Sequence, residues 1–337
     1  SGTFQMGCNS VLDSSCDSNS DEKPQHAVTI TQPFWLGLTE VTVANYQACV
    51  DAGPCSAPST TATHCSGKDA KWNNWPTVNP GRGAHPVNCV DWSQASAYCA
   101  WAGGYLPTEA QWELAARGRC EENGGASGCA SKMRTYPWGN GEPICGTHAV
   151  LSSGGVGCGK DQTWAVKTGS GSGRGPYGHY DLAGNVWEWV SDLYSIGYYS
   201  TYGSQSWPAD PENTSSATHR VDRGGSFVYG AAILRAGYRS SGDPSVPYYS
   251  LGARCARPFS VCDDDNPCTS DSSDDVGGCE HAPTNQGAKC NDGDACTATT
   301  TCDAGQCAGG APLDCDDGNL CTTDACDADT GCTHLPA

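Results

Sequence analysis

Three stretches of the chain space their apolar residues three and four apart, as one face of a helix requires. In DWSQASAYCAWAGG, Ala95, Tyr98 and Cys99 share a face and Asp91 stands where it can cap the first turn. In TEAQWELAARG, Thr108 and Gln111 form a capping-box pair and Gly118 is a stop signal. VTVANYQACVDAG, from Val41, predicts a third helix, whereas VWEWVSD and RVDRGGSF read as short strands. Long runs of Gly, Pro and Ser separate these segments, too many for a regular α/β alternation. The pattern predicts an irregular α+β domain with little regular secondary structure for its size.

Composition divides the chain in two. Its 337 residues carry a formal charge of −19, but residues 261–337 alone hold 16 acidic residues and one Lys, with no Phe, Trp or Tyr. All 11 Trp lie upstream. We therefore read residues 1–259 as one domain and 260–337 as a tail. The 23 Cys point to an oxidising compartment, secreted or at a cell surface. No run of eighteen apolar residues predicts a membrane span. The opening SGTFQMG is already domain-like, so the chain reads as a mature, processed product. The negative charge argues against a nucleic-acid partner.

The tail repeats itself, from Cys262, Cys290 and Cys315, on a frame of Cys, five residues, Cys, then two more Cys. Such units bury too little apolar area to offset backbone ordering, so a disulfide-rich, mostly coil array is expected. Each unit opens with Asp and Asn around a Gly or Pro. That arrangement suits calcium, or equally a solvated acidic spacer. It is similar to the acidic repeats of thrombospondin type 3 and to cysteine-rich arrays of bacterial surface proteins. Ser273 stands in the first repeat where the third has Cys326, so the tail holds 11 Cys against 12 upstream. One sulfur is left over, free or bonded to another chain.

Upstream, GTFQMG, LTEVTVANY, HPVNCVDW, AYCAWAGGYLPTEAQWELAARG, YPWGN, YDLAGNVWEWVSD, RGGSF and LGARCAR follow one another in order. In this the chain resembles the formylglycine-generating enzymes, or sulfatase-modifying factors, over residues 1–259. The resemblance implies an irregular α+β fold related to C-type lectins. It also implies an activity that oxidises a sulfatase cysteine to formylglycine, using oxygen and copper held by two thiolates. It pairs Cys99 with Cys255, a long loop whose closure is worth roughly 4 to 5 kcal/mol in the chain-entropy account. It makes YDLAGNVWEW a calcium loop, with carboxylates from Asp181 and Glu188 and carbonyls from Gly184 and Val186. The residue reading beside it has Asp181 capping a turn and Glu188 paired with an arginine.

The copper ligands do not carry over. The resemblance places the first thiolate at Tyr229 and leaves the second without a counterpart, and copper(I) needs soft sulfur donors. Copper is therefore not expected. None of the eight His shows the His-x3-His-x-Glu spacing of the related iron sulfoxide synthases; His26 and His85 read as structural. Tyr229, Arg235, Arg239 and Arg254 are candidates to line a groove, or the arginines neutralise buried carboxylates such as Asp222. Cys8/Cys16, Cys120/Cys129 and Cys145/Cys158 read as local disulfides, and Asn213 begins a glycosylation sequon. The expectation is a secreted, non-catalytic, calcium-stabilised structural or adhesive component able to self-associate into a homo-oligomer or filament. The alternatives are a peptide- or glycan-binding module, with Trp75, Trp138, Trp207 or Tyr229 lining its pocket, and an oxidase with a relocated metal site.

Overall fold

A computed structural model describes residues 1–8, 16, 20–120, 134–167, 171–201, 207–215 and 217–259. In the tail it describes 264, 266–273, 279–290, 292, 296–298, 300–308, 310–317, 322–327 and 331–336. The chain divides into two units, Ser1–Pro258 and Phe259–Ala337.

The first unit opens with β1 (Gly2–Met6) paired antiparallel to β2 (His26–Ile30), followed by β3 (Phe34–Leu36). Helix α1 (Val43–Ala52) starts at Thr42, whose hydroxyl accepts the Asn45 N–H, and stops at Gly53 with φ 99°. Helices α2 (Trp92–Trp101) and α3 (Glu109–Arg117) both begin in complete capping boxes, Asp91/Gln94 and Thr108/Gln111. Ala95, Tyr98 and Cys99 are the buried positions of α2.

The strand β4 (Trp187–Leu193) is central in a four-stranded sheet. On one side lies β5 (Arg220–Arg223), antiparallel to β4, and beyond it β6 (Ser240–Gly242), antiparallel to β5; on the other lies β7 (Leu251–Ala253), parallel to β4. β8 (Ala256–Pro258) pairs with β3. Core covers both faces of β4, so the strand is buried along most of its length, Glu188 and Asp192 included. Trp187 and Trp189 pack with Tyr46, Tyr98 and Leu251. Val190 packs with Trp112, Leu182 and Val221. Strand β5 ends at Arg223, short of the full RVDRGGSF segment, because Gly224 and Gly225 take φ of 92° and 74°. A Cβ at Gly225 would lie 2.8 Å from a Leu234 methyl, so the turn requires glycine.

Disulfides join Cys8–Cys16, Cys49–Cys55, Cys65–Cys89, Cys145–Cys158 and Cys99–Cys255. Cys120 is also disulfide-bonded; Cys129 lies outside the described residues.

The second unit is a series of short antiparallel hairpins. β9 (Thr269–Ser273) pairs with β10 (Cys279–Pro283), and β11 (Thr297–Ala298) precedes β12 (Thr301–Asp303). β12 pairs with β13 (Gln306–Ala308), and β11 with β14 (Ala311–Pro312). The last hairpin is β15 (Thr322–Asp327) with β16 (Gly331–Pro336). Two kinds of bridge hold them. Cys290–Cys307 and Cys315–Cys332 each span 17 positions within one repeat. Cys268–Cys302 and Cys296–Cys326 tie one repeat to the next. Among the described residues of this unit, the buried core is sulfur: Cys268 and Cys302. Cys262 and Cys321 lie outside the described residues, and with them the identity of the leftover sulfur.

Candidate functional site

The Gly224–Gly225 turn delivers Tyr229 to the surface at the edge of the sheet. Its N–H donates to the Ser226 carbonyl at 3.0 Å, and its own carbonyl accepts the Ser152 N–H at 2.8 Å. The ring is 41% exposed. It meets Trp187 edge-on, with centroids 5.7 Å apart at 70°, and Trp187 in turn lies 6.1 Å from Tyr238. The Tyr229 hydroxyl is raised above its ordinary pKa by burial, then by the charge of Asp222, with smaller contributions from Tyr238 and Tyr248. Tyr249 is near enough to Tyr229 to be coupled to it as well. Trp72 packs on Tyr249 at 4.6 Å, and Lys71 Nζ stands 4.5 Å over the Trp72 ring. The result is a face of four tyrosines backed by two tryptophans.

Asp222 lies beneath this face. It is 4% exposed, and among the described residues its Oδ1 has no hydrogen-bond partner. Burial pushes its carboxyl up to about 7, against the lowering effects of a Ser240 hydrogen bond and the Arg223 charge. The face therefore offers phenol hydroxyls, aromatic edges and one buried acid. It offers no thiol, since no cysteine occurs from Arg220 to Arg254.

The arginines assigned to a groove are elsewhere. Arg235 is 2% exposed and gives a two-pronged ion pair to Glu22 at 2.7 and 2.8 Å. Arg239 does the same to Glu109 at 2.7 and 2.9 Å. The groove reading is thus corrected to Tyr229 without Arg235 or Arg239. A guanidinium that deep needs a carboxylate, and each has one. They belong to a buried network in which Arg223 bridges Glu109 and Glu113, and Arg117 adds a bond to Glu113 at 2.7 Å. The arginines neutralise these glutamates and leave Asp222 aside.

In the proposed calcium loop, Glu188 is engaged already. Both its oxygens receive Arg254, at 2.7 to 3.1 Å, and Oε2 also accepts the Trp112 indole at 2.7 Å. In this structure it makes the ion pair that the residue alone suggests. Asp181 accepts the Lys167 N–H at 3.0 Å and is raised by burial. Glu40, which the sequence reading passed over, accepts weak bonds from Asn185 Nδ2 and the Val186 N–H at 3.2 and 3.3 Å. Burial, then the charges of Asp181 and Glu188, push Glu40 well above its ordinary range. Three carboxylates thus face one guanidinium. That surplus fits a divalent cation near Asp181 and Glu40, with Gly184 and Val186 following Asp181 in the chain.

Other candidates resolve simply. His26 bonds the Pro24 carbonyl and stacks on Trp207 at 3.9 Å; His85 bonds Thr163 and is lowered to about 4, chiefly by burial. Both are structural. Trp75 is buried, and Trp138 is stacked between Tyr136 and His148. Asn213 is 2% exposed and donates to the Leu193 carbonyl at 2.6 Å, so the folded protein does not offer this sequon to glycosylation. The signals missed in the sequence were the tyrosine pair in PYYS and the lone Glu40 in LTEVTV.

The irregular α+β fold gathers the tyrosine face from loops around a small sheet. Residues 1–259 match the sulfatase-modifying factor enzyme 1-like domain, and the chain belongs to that family. Residues 261–284 and 314–336 match the Dictyostelium (slime mold) repeat. Formylglycine-generating enzyme of Thermomonospora curvata is 36% identical over 51% of this chain and 55% of its own length. The mouse formylglycine-generating enzyme is 34% identical over 52% and 45% respectively. Hercynine oxygenase of Mycolicibacterium smegmatis is 28% identical over 76% and 59%. The chain spans about half the length of the formylglycine-generating enzymes it matches. PvdO from Pseudomonas aeruginosa shares the fold with TM-score 0.56 and 23% identity, covering 77% of this chain and 92% of its own. Treponema denticola variable protein 1 does so with TM-score 0.52 and 24% identity, covering 76% and 92%. Among the described residues no helix is long and apolar enough to cross a membrane.

Proposed function

We propose that this chain is a secreted, non-catalytic member of its family, a structural or adhesive component whose tyrosine face makes noncovalent contacts. The observation that carries this reading is Tyr229. A phenol at that position, in a segment without cysteine, cannot supply the soft sulfur pair that copper(I) chemistry requires. An exposed ring backed by Trp187 is instead suited to stacking on a peptide side chain or a sugar. Calcium held at Asp181 and Glu40 is the expected stabiliser of the scaffold. The odd number of cysteines is consistent with covalent self-association, up to a filament.

The deciding experiment follows oxygen uptake and mass change of a cysteine-containing sulfatase peptide with the purified chain and added copper(I). No turnover above a protein-free blank is expected. Formylglycine in the peptide would sink the reading. Peptide and glycan arrays probed with the native chain and with Tyr229→Ala should show contacts that weaken about ten-fold or more in the variant, in keeping with an aromatic anchor.

A further inference from the structure

Away from the tyrosine face, one cluster of ligand-type side chains is built twice. In the first repeat, Nδ1 of His281 lies 2.6 Å from Asp271 Oδ1 and 3.4 Å from Asp264 Oδ2. In the third repeat, Nδ1 of His334 lies 2.7 Å from Asp324 Oδ1 and 3.6 Å from Asp317 Oδ2. Each set has its three donor atoms within 4.8 Å of one another. The hairpins explain the match. Asp271 faces His281 across β9 and β10, and Asp324 faces His334 across β15 and β16. The third member comes from the preceding loop, whose backbone N–H at Asp264 or Asp317 donates to the second Asp at 3.2 or 3.3 Å.

The middle repeat separates a ligand site from a structural brace. It keeps an aspartate at the first position, Asp292, but has Thr299 at the second and no histidine. Its Asp292 accepts the Thr297 hydroxyl, as Asp264 accepts that of Thr269 in the first repeat. Yet Cys290–Cys307 closes across the same 17 positions as Cys315–Cys332. The disulfide frame therefore does not depend on the triad. The two segments that carry it are also the two that match the Dictyostelium repeat.

The donors are reachable: the histidines are 37% exposed and the loop aspartates 32%. Two carboxylates around a neutral imidazole leave a charge that one divalent ion cancels. An imidazole nitrogen with two carboxylate oxygens is a donor set for zinc and its first-row neighbours, whereas calcium takes oxygen throughout. Protons compete for the same nitrogen. Both histidines are raised above their ordinary range, first by the hydrogen bond that each donates to Asp271 or Asp324.

We propose that each Asp–Asp–His triad is a first-row divalent-cation site that takes zinc in preference to calcium, so that one chain holds two such ions. The test is zinc stoichiometry on the intact, oxidised full chain at pH 7.5, by equilibrium dialysis and calorimetry. Wild type should bind two equivalents more than His281→Gln/His334→Gln, and each single variant one fewer than wild type. The double variant should keep its disulfide map, as the histidine-free middle repeat leads one to expect. A hundred-fold excess of calcium should leave the zinc in place. Equal stoichiometry in wild type and double variant, or displacement of the triad-bound zinc by calcium, overturns the proposal.

Discussion

At the scale of single residues, Asp222 is the most exposed to a simple test. Its folded carboxyl is raised to about 7, mainly by burial, whereas in the unfolded chain it titrates near 4. Between those values the folded state holds a proton that the unfolded state has released. Stability therefore falls as pH rises from about 4 to about 7, and is level above that. Other buried carboxyls shift too, so the informative quantity is the difference between wild type and Asp222→Asn. Thermal midpoints from pH 4.5 to 8 should show the variant losing a few kcal/mol of relative pH dependence, about what a carboxyl moved from near 4 to about 7 contributes. Parallel curves for the two proteins would mean that Asp222 is ionised throughout, with a cation or water at its Oδ1. Tyr229 belongs to the same scale: its exposed ring sits above this acid, whose charge raises the phenol.

At the scale of elements, what was legible from sequence had local causes. The helices were legible because their caps lie three residues apart, and the Cys99–Cys255 bridge because the motifs around it matched a known family. The buried arginine network was not, because its partners are remote: Arg235 and Glu22 are 213 positions apart, and Arg239 and Glu109 are 130. Nothing near an arginine in sequence announces a carboxylate across the fold. The loop from Asp181 to Glu188 shows the same division. Its turn residues are visible in the sequence, and Asp181, Gly184 and Asn185 all adopt positive φ. Glu40, 145 positions from Asn185, is not. Left-handed backbone at Asp181 and Asn185 costs on the order of 1 kcal/mol each, so something must hold the loop. A cation neutralising Asp181 and Glu40 would do so. Saturating calcium should raise the thermal midpoint by about 5 to 10 °C, the size expected from roughly 2.7 kcal/mol of ligand linkage in a unit this large. Glu40→Gln/Asp181→Asn should melt at one temperature with calcium or with chelator. A wild type equally indifferent to calcium would remove the ion from the account.

At the scale of the whole molecule, the two units are stabilised by different physics, and reduction should separate them. The first has several apolar clusters and a buried ion network, so its disulfides add to a core that exists without them. The second has no Phe, Trp or Tyr beyond Phe259 at its start, a surplus of carboxylates, and a described core of two half-cystines. Hairpins of two to six residues per strand do not persist alone in water. Once Cys268–Cys302, Cys296–Cys326 and the two 17-residue bridges open, backbone entropy of about 1 to 2 kcal/mol per residue has nothing comparable to oppose it. Mild reduction followed by brief proteolysis should therefore trim the chain to a stable fragment ending near Pro258, while the oxidised chain resists. Mass spectrometry of the fragments distinguishes the outcomes. A reduced tail that survives intact would require a source of order other than sulfur, and loss of the first unit at the same dose would mean that its core, too, depends on its disulfides.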